Sequence, residues 1–259
     1  MTKKTVELSR DEVLYAYKEI SRAYKELQDS HIEMIFRMAV MAEYRDPTTG
    51  GHLVRIADYS SIIGDGLDLP KSEVEVIRYA SPMHDIGKIM LPDTVLKKKG
   101  KLTDEEKALM MKHPQVGADI FKDAKSPIMR ACGTIALTHH ERYDGTGYPY
   151  GLKGEEIPLY GRIVALADCF DAFTSQRPYK ESFSFERSVS MIEERAGGHF
   201  DPQIIRVFVR DRDKFRGIWE SNRDIEVFLE DMGVNEEKKA LDKSLAMKTA
   251  NSRIRGKRG

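Results

Sequence analysis

The stretch Ser72–Lys88, SEVEVIRYASPMHDIGK, decides how this sequence folds. It opens with the capping-box form of a helix N-terminus, Ser72-x-x-Glu75. One face of the helix that follows carries residues at helical spacing: Ile77, Ala80 and His84. Because this face is mostly apolar, we expect it to point inward and to bury the His84 imidazole. A buried imidazole needs a partner, which is either a hydrogen bond in the core or a metal ion.

The rest of the sequence carries the same kind of pattern. Apolar residues recur every three or four positions over most of the 259 residues, and no run of alternating β-branched residues predicts a strand. Further helix starts are indicated by Thr103-x-x-Glu106 and by Ser126 before Pro127. We therefore predict an all-α fold.

The N-terminal segment has the most regular pattern in the chain. Steps of four and three residues, the a/d spacing of a coiled coil, separate nine residues: Val13, Tyr17, Ile20, Tyr24, Leu27, His31, Met34, Met38 and Met41. This seam predicts a long coiled-coil-like helix that either forms a parallel dimer stalk or packs on its own domain. We place the N-terminal helix at residues 1–44, a catalytic helical domain at 45–210, and a C-terminal helical extension with a basic tail at 211–259.

Composition excludes several classes of protein. The 42 Lys and Arg residues balance 42 Asp and Glu residues, whereas a domain that binds nucleic acid polymers usually has a basic excess. No stretch approaches the roughly 20 apolar residues of a membrane-spanning helix, and the start MTKKTVELSR lacks the apolar core of a signal peptide. Two cysteines exclude a disulfide framework. We expect a cytoplasmic protein with no membrane segment.

Five histidines and two aspartates point to a metal centre. Each lies near a predicted helix end or on an inward face: His52, His84, Asp85, His113, His139, His140 and Asp168. They are too far apart in sequence for a local motif, but a helical bundle can bring such donors together. Seven donors exceed the needs of one tetrahedral ion, so we predict two ions that share a group such as Asp85. Nitrogen and oxygen donors without cysteine favour iron or manganese, and paired ions of this kind hydrolyse phosphoesters.

The order of these motifs resembles the HD-GYP domain, a bacterial branch of the HD phosphohydrolases. The matching stretches, from about Met38 to Val209, are RDPTTGGHLVRIA, MHDIGKI, MMKHPQVG, LTHHERYDGTGYPYGLKGEEIPLYGRIVALADCFDAFTSQRPYK and HFDPQII, with the GYP triplet at Gly147, Tyr148 and Pro149. The resemblance implies an HD-domain helical bundle with a GYP loop and a buried centre of two or three metals. It also implies a phosphodiesterase that converts cyclic di-GMP to linear pGpG, and in some members onward to GMP.

The resemblance also implies a role for each matching residue. The metal-ligand positions are His52, His84, Asp85, His113, His139, His140 and Asp168, with Asp85 as the bridge. Asp85 and Lys88 are the catalytic candidates, and Lys88 falls near the scissile phosphate. The substrate-side positions are Lys88, Asp171, Arg177 and Lys180. Arg177 and Lys180 have a simpler alternative as solvated surface charges. Tyr148 is expected to shape the loop or a partner surface.

One position departs from the three-metal members of this family. They carry a glutamate four residues before the first histidine, and here that position is Thr48, a poor ligand for a hard cation. We therefore predict two metal ions, which leaves cleavage as far as GMP open. Glu43 could compensate only if the intervening loop folds toward the site.

The mechanism that follows is a hypothesis. A hydroxide that bridges the two ions attacks phosphorus in line, while the ions and Lys88 neutralise charge and the 3′-oxygen leaves. Nothing in the sequence identifies the second purine, so a hydrolase of cyclic GMP-AMP is an alternative. Another is a module that binds cyclic di-GMP, or engages a GGDEF-domain protein through the GYP surface, with little turnover. The N-terminal helix adds a homodimer as an expected assembly.

Overall fold

A computed structural model of the protein describes residues 9–43, 50–175 and 182–221. Within these ranges it contains eleven α-helices, three short 3₁₀ helices and no strand. The predicted all-α fold is confirmed. The described residues fall into two compact units, residues 9–34 and residues 35–221. Thr48, Arg177, Lys180 and the basic tail lie outside the described residues.

The helices follow one another with short connections. They are α1 (Arg10–Glu43), α2 (Gly50–Gly66), α3 (Lys71–Ala80), α4 (Asp93–Leu96), α5 (Asp104–Met110), α6 (His113–Ile120), α7 (Pro127–Thr138), α8 (Leu159–Thr174), α9 (Phe185–Glu193), α10 (Pro202–Arg210) and α11 (Arg212–Ser221). The 3₁₀ helices are Ser81–Met83, Ile86–Met90 and Gly154–Glu156.

Local sequence signals set several of these boundaries. At α5 the predicted capping box is present, because the Thr103 side chain accepts from the Glu106 N–H and the Glu106 side chain accepts from the Thr103 N–H. Helix α7 begins at Pro127, as its sequence predicts. The box predicted at Ser72 is wrong, since α3 begins one residue earlier and its N-cap is Pro70. Proline at the cap sets the entry angle without a side-chain hydrogen bond.

The core of the second unit lies around α2 and α8. Side chains with no exposed surface come from both helices, among them Leu53, Ile56, Tyr59, Ile163 and Phe170. Burial of such a side chain stabilises the fold by roughly 1.5–3 kcal/mol. Helix α2 packs against α3 and α8, and α7 packs against α3, α6 and α8. This packing turns the ends of α2, α3, α6 and α7 toward one region beside α8.

The apolar seam predicted on the N-terminal helix is exposed. In residues 9–34 more than half of the surface is accessible at Val13, Tyr17, Ile20, Tyr24, Leu27 and Met34. The helix itself runs to Glu43, but the first unit ends at Met34, ten residues before the domain boundary predicted at residue 44. No helix in the described ranges is both long enough and apolar enough to cross a bilayer.

Candidate metal centre

All seven predicted metal ligands meet in one region of the second unit. His52 lies in the first turn of α2, and His113 is the first residue of α6. His84 and Asp85 lie between two 3₁₀ helices, His139 and His140 follow the last residue of α7, and Asp168 lies within α8. Residues separated by up to 116 positions in sequence therefore share one pocket because six elements begin, end or pass there.

A glycine permits the closest approach within this region. A Cβ atom on Gly87 would lie 2.0 Å from the carbonyl oxygen of His113 and 2.6 Å from the amide nitrogen of Gly117. Only glycine allows this contact without displacement of the backbone. The glycine of the HDIGK stretch therefore lets the segment that carries Asp85 lie against the start of α6.

The histidines are oriented by their Nδ1 atoms. Three of them have Nδ1 2.8–3.0 Å from a backbone carbonyl oxygen: His84 on Ser81, His113 on Met110 and His139 on Ala136. A fourth, His52, has Nδ1 2.7 Å from the Oδ2 atom of Asp171. Carbonyl and carboxylate oxygens only accept, so we assign the ring proton to Nδ1 in all four residues. When the imidazole is neutral, its Nε2 atom then carries a lone pair, the form in which imidazole binds a metal.

On one side of the pocket, these Nε2 atoms surround an oxygen of Asp85. The Nε2 atoms of His113 and His139 lie 3.4 Å apart, and they are 3.2 and 3.6 Å from Asp85 Oδ1. Nitrogens about 2.1 Å from one ion lie roughly 3.0–3.4 Å apart at ordinary coordination angles. Lone pairs and a carboxylate that face each other repel unless a cation lies among them. With His140, which joins the same cluster, these residues fit a divalent ion.

On the other side, Glu43, His52 and His84 form a second cluster, whose ligand atoms all lie within 4.8 Å of one another. The Oδ1 atom of Asp168 is 3.8 Å from His52 Nε2 and 3.9 Å from His84 Nε2. Asp85 faces both clusters, because its second oxygen lies 3.3 Å from His84 Nε2. Within the described part of the chain, the buried atoms His84 Nε2 and Asp85 Oδ1 make no hydrogen bond. Of these two atoms His84 Nε2 lies on this side, where a second ion fits it, whereas Asp85 Oδ1 faces the cluster of His113 and His139.

The charges in the pocket suit cation binding. Burial alone would raise the pKa of Asp85, but Lys88 and His84 bring it well below its usual value, so the carboxylate stays ionised. Burial and the neighbouring His139 lower the pKa of His140 well below its usual value, so this imidazole stays neutral. Burial lowers the pKa of His84, yet the charge of Asp85 outweighs it and raises this pKa to about 9. Without an ion His84 is therefore protonated, and a metal that bound to Nε2 would displace that proton.

The pocket opens to solvent on the side of Lys88, His140 and Asp168. These three residues are half-buried, whereas the side chain of His84 has no exposed surface. The Lys88 Nζ atom lies 2.6 Å from Asp85 Oδ2, at the mouth of the pocket. A phosphate that reached the ions from this side would meet the Lys88 ammonium group. Arg177 and Lys180, the other predicted substrate contacts, lie outside the described residues.

Asp171 does not lie on this open side. Its carboxylate is fully buried behind His52, where it accepts hydrogen bonds from His52 Nδ1 and from Arg55, whose Nε and Nη2 atoms lie 2.5 and 3.1 Å away. The Ser175 hydroxyl adds a further bond at 3.1 Å. The assignment of Asp171 as a substrate contact is therefore revised to a residue that orients His52. Arg55 was not predicted from the sequence; its place one turn after His52 is the only local signal.

Replacing Asp171 with asparagine should weaken metal binding. The neutral amide would hold the His52 proton less strongly, and loss of such an outer carboxylate typically costs 10- to 100-fold in metal affinity. Titration of the metal-free protein with Mn²⁺ measures this loss. Asp201→Asn is the matched control, because Asp201 is also buried and paired, with Arg162 at 2.5 Å, but lies outside both clusters. Equal affinity in the two variants would contradict the role given to Asp171.

The GYP loop supports one of the ligands. The ring of Tyr148 stacks on His140 with centroids 4.7 Å apart, and the Tyr148 N–H donates to the His140 carbonyl at 3.2 Å. The buried carboxylate of Glu141 holds the far end of the loop through the N–H groups of Tyr150 and Leu152. A Cβ atom on Gly147 would lie 2.3 Å from the Arg142 nitrogen, so glycine is required there.

This stacking predicts different effects for two substitutions at Tyr148. Removal of the ring in Tyr148→Ala should lower Mn²⁺ affinity about 2- to 12-fold, which corresponds to the 0.5–1.5 kcal/mol of an aromatic pair. Tyr148→Phe keeps the ring and should bind normally. Tyr150→Ala is the control, since Tyr150 is exposed and its hydroxyl bonds Gln115 rather than a ligand. A loss in the phenylalanine variant equal to that in the alanine variant would assign the effect to the hydroxyl instead.

Comparison with known proteins agrees with this architecture. The HD domain family matches residues 37–204, and the chain belongs to this family. Within it, the resemblance to the HD-GYP branch is confirmed. This chain also superimposes on the crystal structure of a cyclic GMP-AMP specific phosphodiesterase of Vibrio cholerae, with a TM-score of 0.55 and 20% sequence identity. The aligned region covers 80% of this chain and 52% of that chain, so the two share the fold.

Curated relatives are more similar in sequence. The cyclic di-GMP phosphodiesterase response regulator RpfG of Xanthomonas campestris is 42% identical over 187 residues, which cover 72% of this chain and 50% of the relative. The 3′3′-cGAMP-specific phosphodiesterase 2 of Vibrio cholerae is 38% identical over 193 residues, which cover 74% of this chain and 37% of the relative. The chain thus spans half or less of the length of these two relatives.

Proposed function

We propose that this chain is a metal-dependent phosphodiesterase that hydrolyses cyclic di-GMP to linear pGpG. The observation that carries the proposal is the pair of donor clusters that face Asp85, with their Nε2 lone pairs directed inward and Lys88 at the open mouth. Packing alone does not explain why these metal-donor atoms are buried facing one another, because without a cation they would repel one another. The relatives named for cyclic dinucleotide hydrolysis support the choice of substrate class.

Two divalent ions would fit the donor set, one held by each cluster, and Asp85 would serve both, since each of its oxygens faces one cluster. Nitrogen and carboxylate donors without cysteine favour iron or manganese. When bound, the ions supply an activated water for in-line attack on phosphorus and positive charge beside the attacking and leaving oxygens. Asp171 and Tyr148 keep the imidazoles of His52 and His140 in orientation for this purpose.

The chain's own residues then complete the reaction. Attack by water forms a new P–O bond and breaks the bond from phosphorus to the 3′-oxygen, which leaves a 5′-phosphate and a 3′-hydroxyl on the linear product. The Lys88 ammonium group neutralises charge on the phosphoryl oxygens and can give a proton to the departing 3′-oxygen. The exposed edges of His140 and Asp168 set the side from which the diester enters.

The experiment that tests this function compares the two dinucleotides named for the relatives. Protein loaded with Mn²⁺ or, under anaerobic conditions, Fe²⁺ is incubated with cyclic di-GMP and with 3′3′-cyclic GMP-AMP, and the products are separated by chromatography. Faster conversion of cyclic di-GMP to pGpG is expected. Faster hydrolysis of 3′3′-cyclic GMP-AMP would instead favour a cyclic GMP-AMP hydrolase. Binding of either dinucleotide without formation of a product would favour a sensing module.

The position of Tyr148 favours catalysis over a GGDEF-binding role for the GYP motif. Its ring stacks on His140 instead of facing outward, so the side chain contacts the metal centre and is not presented to a partner. A GGDEF-domain partner would have to use neighbouring residues such as the exposed Tyr150.

The two free cysteines, Cys132 and Cys169, suit a reducing compartment and support a cytoplasmic location for this activity.

We also propose that the N-terminal helix forms a parallel homodimer. Its apolar seam is exposed along residues 9–34, and the positions beside the seam include the small residues Ala16, Ala23 and Ser30, which let two helices approach closely. Equilibrium sedimentation of the full chain should therefore give a dimer, and the double substitution Ile20→Asp with Leu27→Asp should give a monomer. Lys25→Asp, on the outer face, is the control and should remain dimeric. A monomeric parent protein at micromolar concentration would refute the dimer.

A further inference from the structure

Glu43 is a buried acid at the end of α1. Only 7% of its surface is exposed, and burial raises the pKa of its carboxyl group. The last turns of the helix fix its position, because Ile35, Phe36, Ala39 and Ala42 are buried in the second unit. An acid held in this way is rarely left in the interior without a partner that favours its charge.

The groups that face Glu43 are metal-binding groups. Its Oε1 atom lies 3.7 Å from the Nε2 atom of His52, and its ligand atom lies within 4.8 Å of those of both His52 and His84. The Nδ1 atoms of these two histidines already donate to Asp171 and to the Ser81 carbonyl, so Nε2 is the ring nitrogen of each that is left to face Glu43 and an ion.

Negative charge is concentrated on this side of the pocket. Asp168 and Asp85 approach the same two imidazoles, at 3.8 Å from His52 and 3.3 Å from His84 respectively, and the Lys88 ammonium group is paired with Asp85. Three carboxylates lie on this side, and they outweigh the charges of Lys88 and of a protonated His84. A divalent cation bound among Glu43, His52 and His84 would supply the missing positive charge.

We propose that Glu43 is a metal ligand, which holds the ion on the His52 and His84 side of the centre. This inference rests on the proposed metal-dependent function and adds to it a residue outside the predicted ligand set. Glu43 gives this side the glutamate that Thr48 cannot supply, from nine residues before His52 instead of four. The ion then connects the end of α1 with the start of α2 and with the His84 segment, so metal binding stabilises the last turns of α1.

Metal titration of Glu43→Gln tests the assignment. Metal-free protein is titrated with Mn²⁺, free Mn²⁺ is followed by electron paramagnetic resonance, and bound metal is counted by elemental analysis. The parent protein should bind two ions, whereas Glu43→Gln should keep one and bind the other at least about tenfold more weakly. Glu33→Gln is the matched control on the same helix, and it should bind as the parent does. Hydrogen exchange in residues 35–43 should slow with Mn²⁺ in the parent and much less in Glu43→Gln.

The outcomes separate a ligand from a structural acid. A ligand role requires the metal-free Glu43→Gln protein to unfold at or above the parent temperature, since a neutral amide is cheaper to bury than a carboxylate. Unchanged affinity for both ions, or a lower unfolding temperature with normal metal binding, would overturn the assignment. If Glu43→Gln does not fold, Glu43→Asp replaces it, and normal affinity there would overturn the assignment too. A parent protein that binds no ion would instead refute the metal centre itself.

Discussion

Asp85→Asn is expected to abolish hydrolysis, with kcat/KM reduced at least about 10³-fold, or roughly 4 kcal/mol of transition-state stabilisation. Among the described residues, Asp85 is the carboxylate that faces both donor clusters, with Oδ1 3.2 Å from His113 Nε2 and Oδ2 3.3 Å from His84 Nε2. A neutral amide has one oxygen where the carboxylate has two, so it cannot serve both clusters and contributes no charge. Metal content should fall together with turnover.

The measurement pairs metal analysis with product formation from cyclic di-GMP. Asp85→Asn is nearly isosteric, and Lys88, which would lose this ion pair, is only half-buried at the mouth of the pocket, where water can solvate it, so the metal-free variant should remain folded. His84→Ala should give the same joint loss, because it removes a fully buried donor of the other cluster. Asp201→Asn again serves as the control with normal metal content. A variant that lacked bound metal yet hydrolysed cyclic di-GMP would contradict the proposed function.

The sequence predicted the members of this centre better than their partners. His84 could be placed inside from its helical face alone, although α3 ends at Ala80 and a 3₁₀ turn continues the chain to Met83. At Asp171 the resemblance predicted a substrate contact, whereas the carboxylate lies behind His52. A residue three positions after Asp168 is rotated by about 60° from it and lies about 4.5 Å further along the axis. That rotation is enough to carry the carboxylate from the open side to the back of His52.

Glu43 and Arg55 illustrate what local patterns cannot provide. The place of Glu43 depends on how the last turns of α1 pack against the core, and no spacing rule relates that packing to His52 nine residues later. Arg55 reads as an ordinary charge on α2, and only the position of α8 shows that it pairs with Asp171 at 2.5 Å. Both residues are determined by tertiary packing, which helical periodicity does not encode.

Lys88→Met is expected to separate catalysis from metal binding. The Lys88 ammonium group sits at the pocket mouth, 2.6 Å from Asp85 Oδ2, where a phosphoryl oxygen would approach. Loss of one donor aimed at developing charge typically lowers kcat by about 10²–10³-fold. A protonated lysine offers no lone pair to a metal, and its removal relieves repulsion between like charges, so affinity for Mn²⁺ should be unchanged or higher.

A half-buried lysine elsewhere gives the matched control. Lys98 pairs with Glu106 at 2.5 Å and lies outside both donor clusters, so Lys98→Met should keep the parent's kcat and metal content. Lys88→Arg should recover part of the lost rate, because it restores the charge but not the compact ammonium geometry. Normal kcat in Lys88→Met would contradict the catalytic role. Loss of bound metal in Lys88→Met would also contradict it. Lys88 would then act by holding Asp85 in place for metal binding and not by contacting the phosphate.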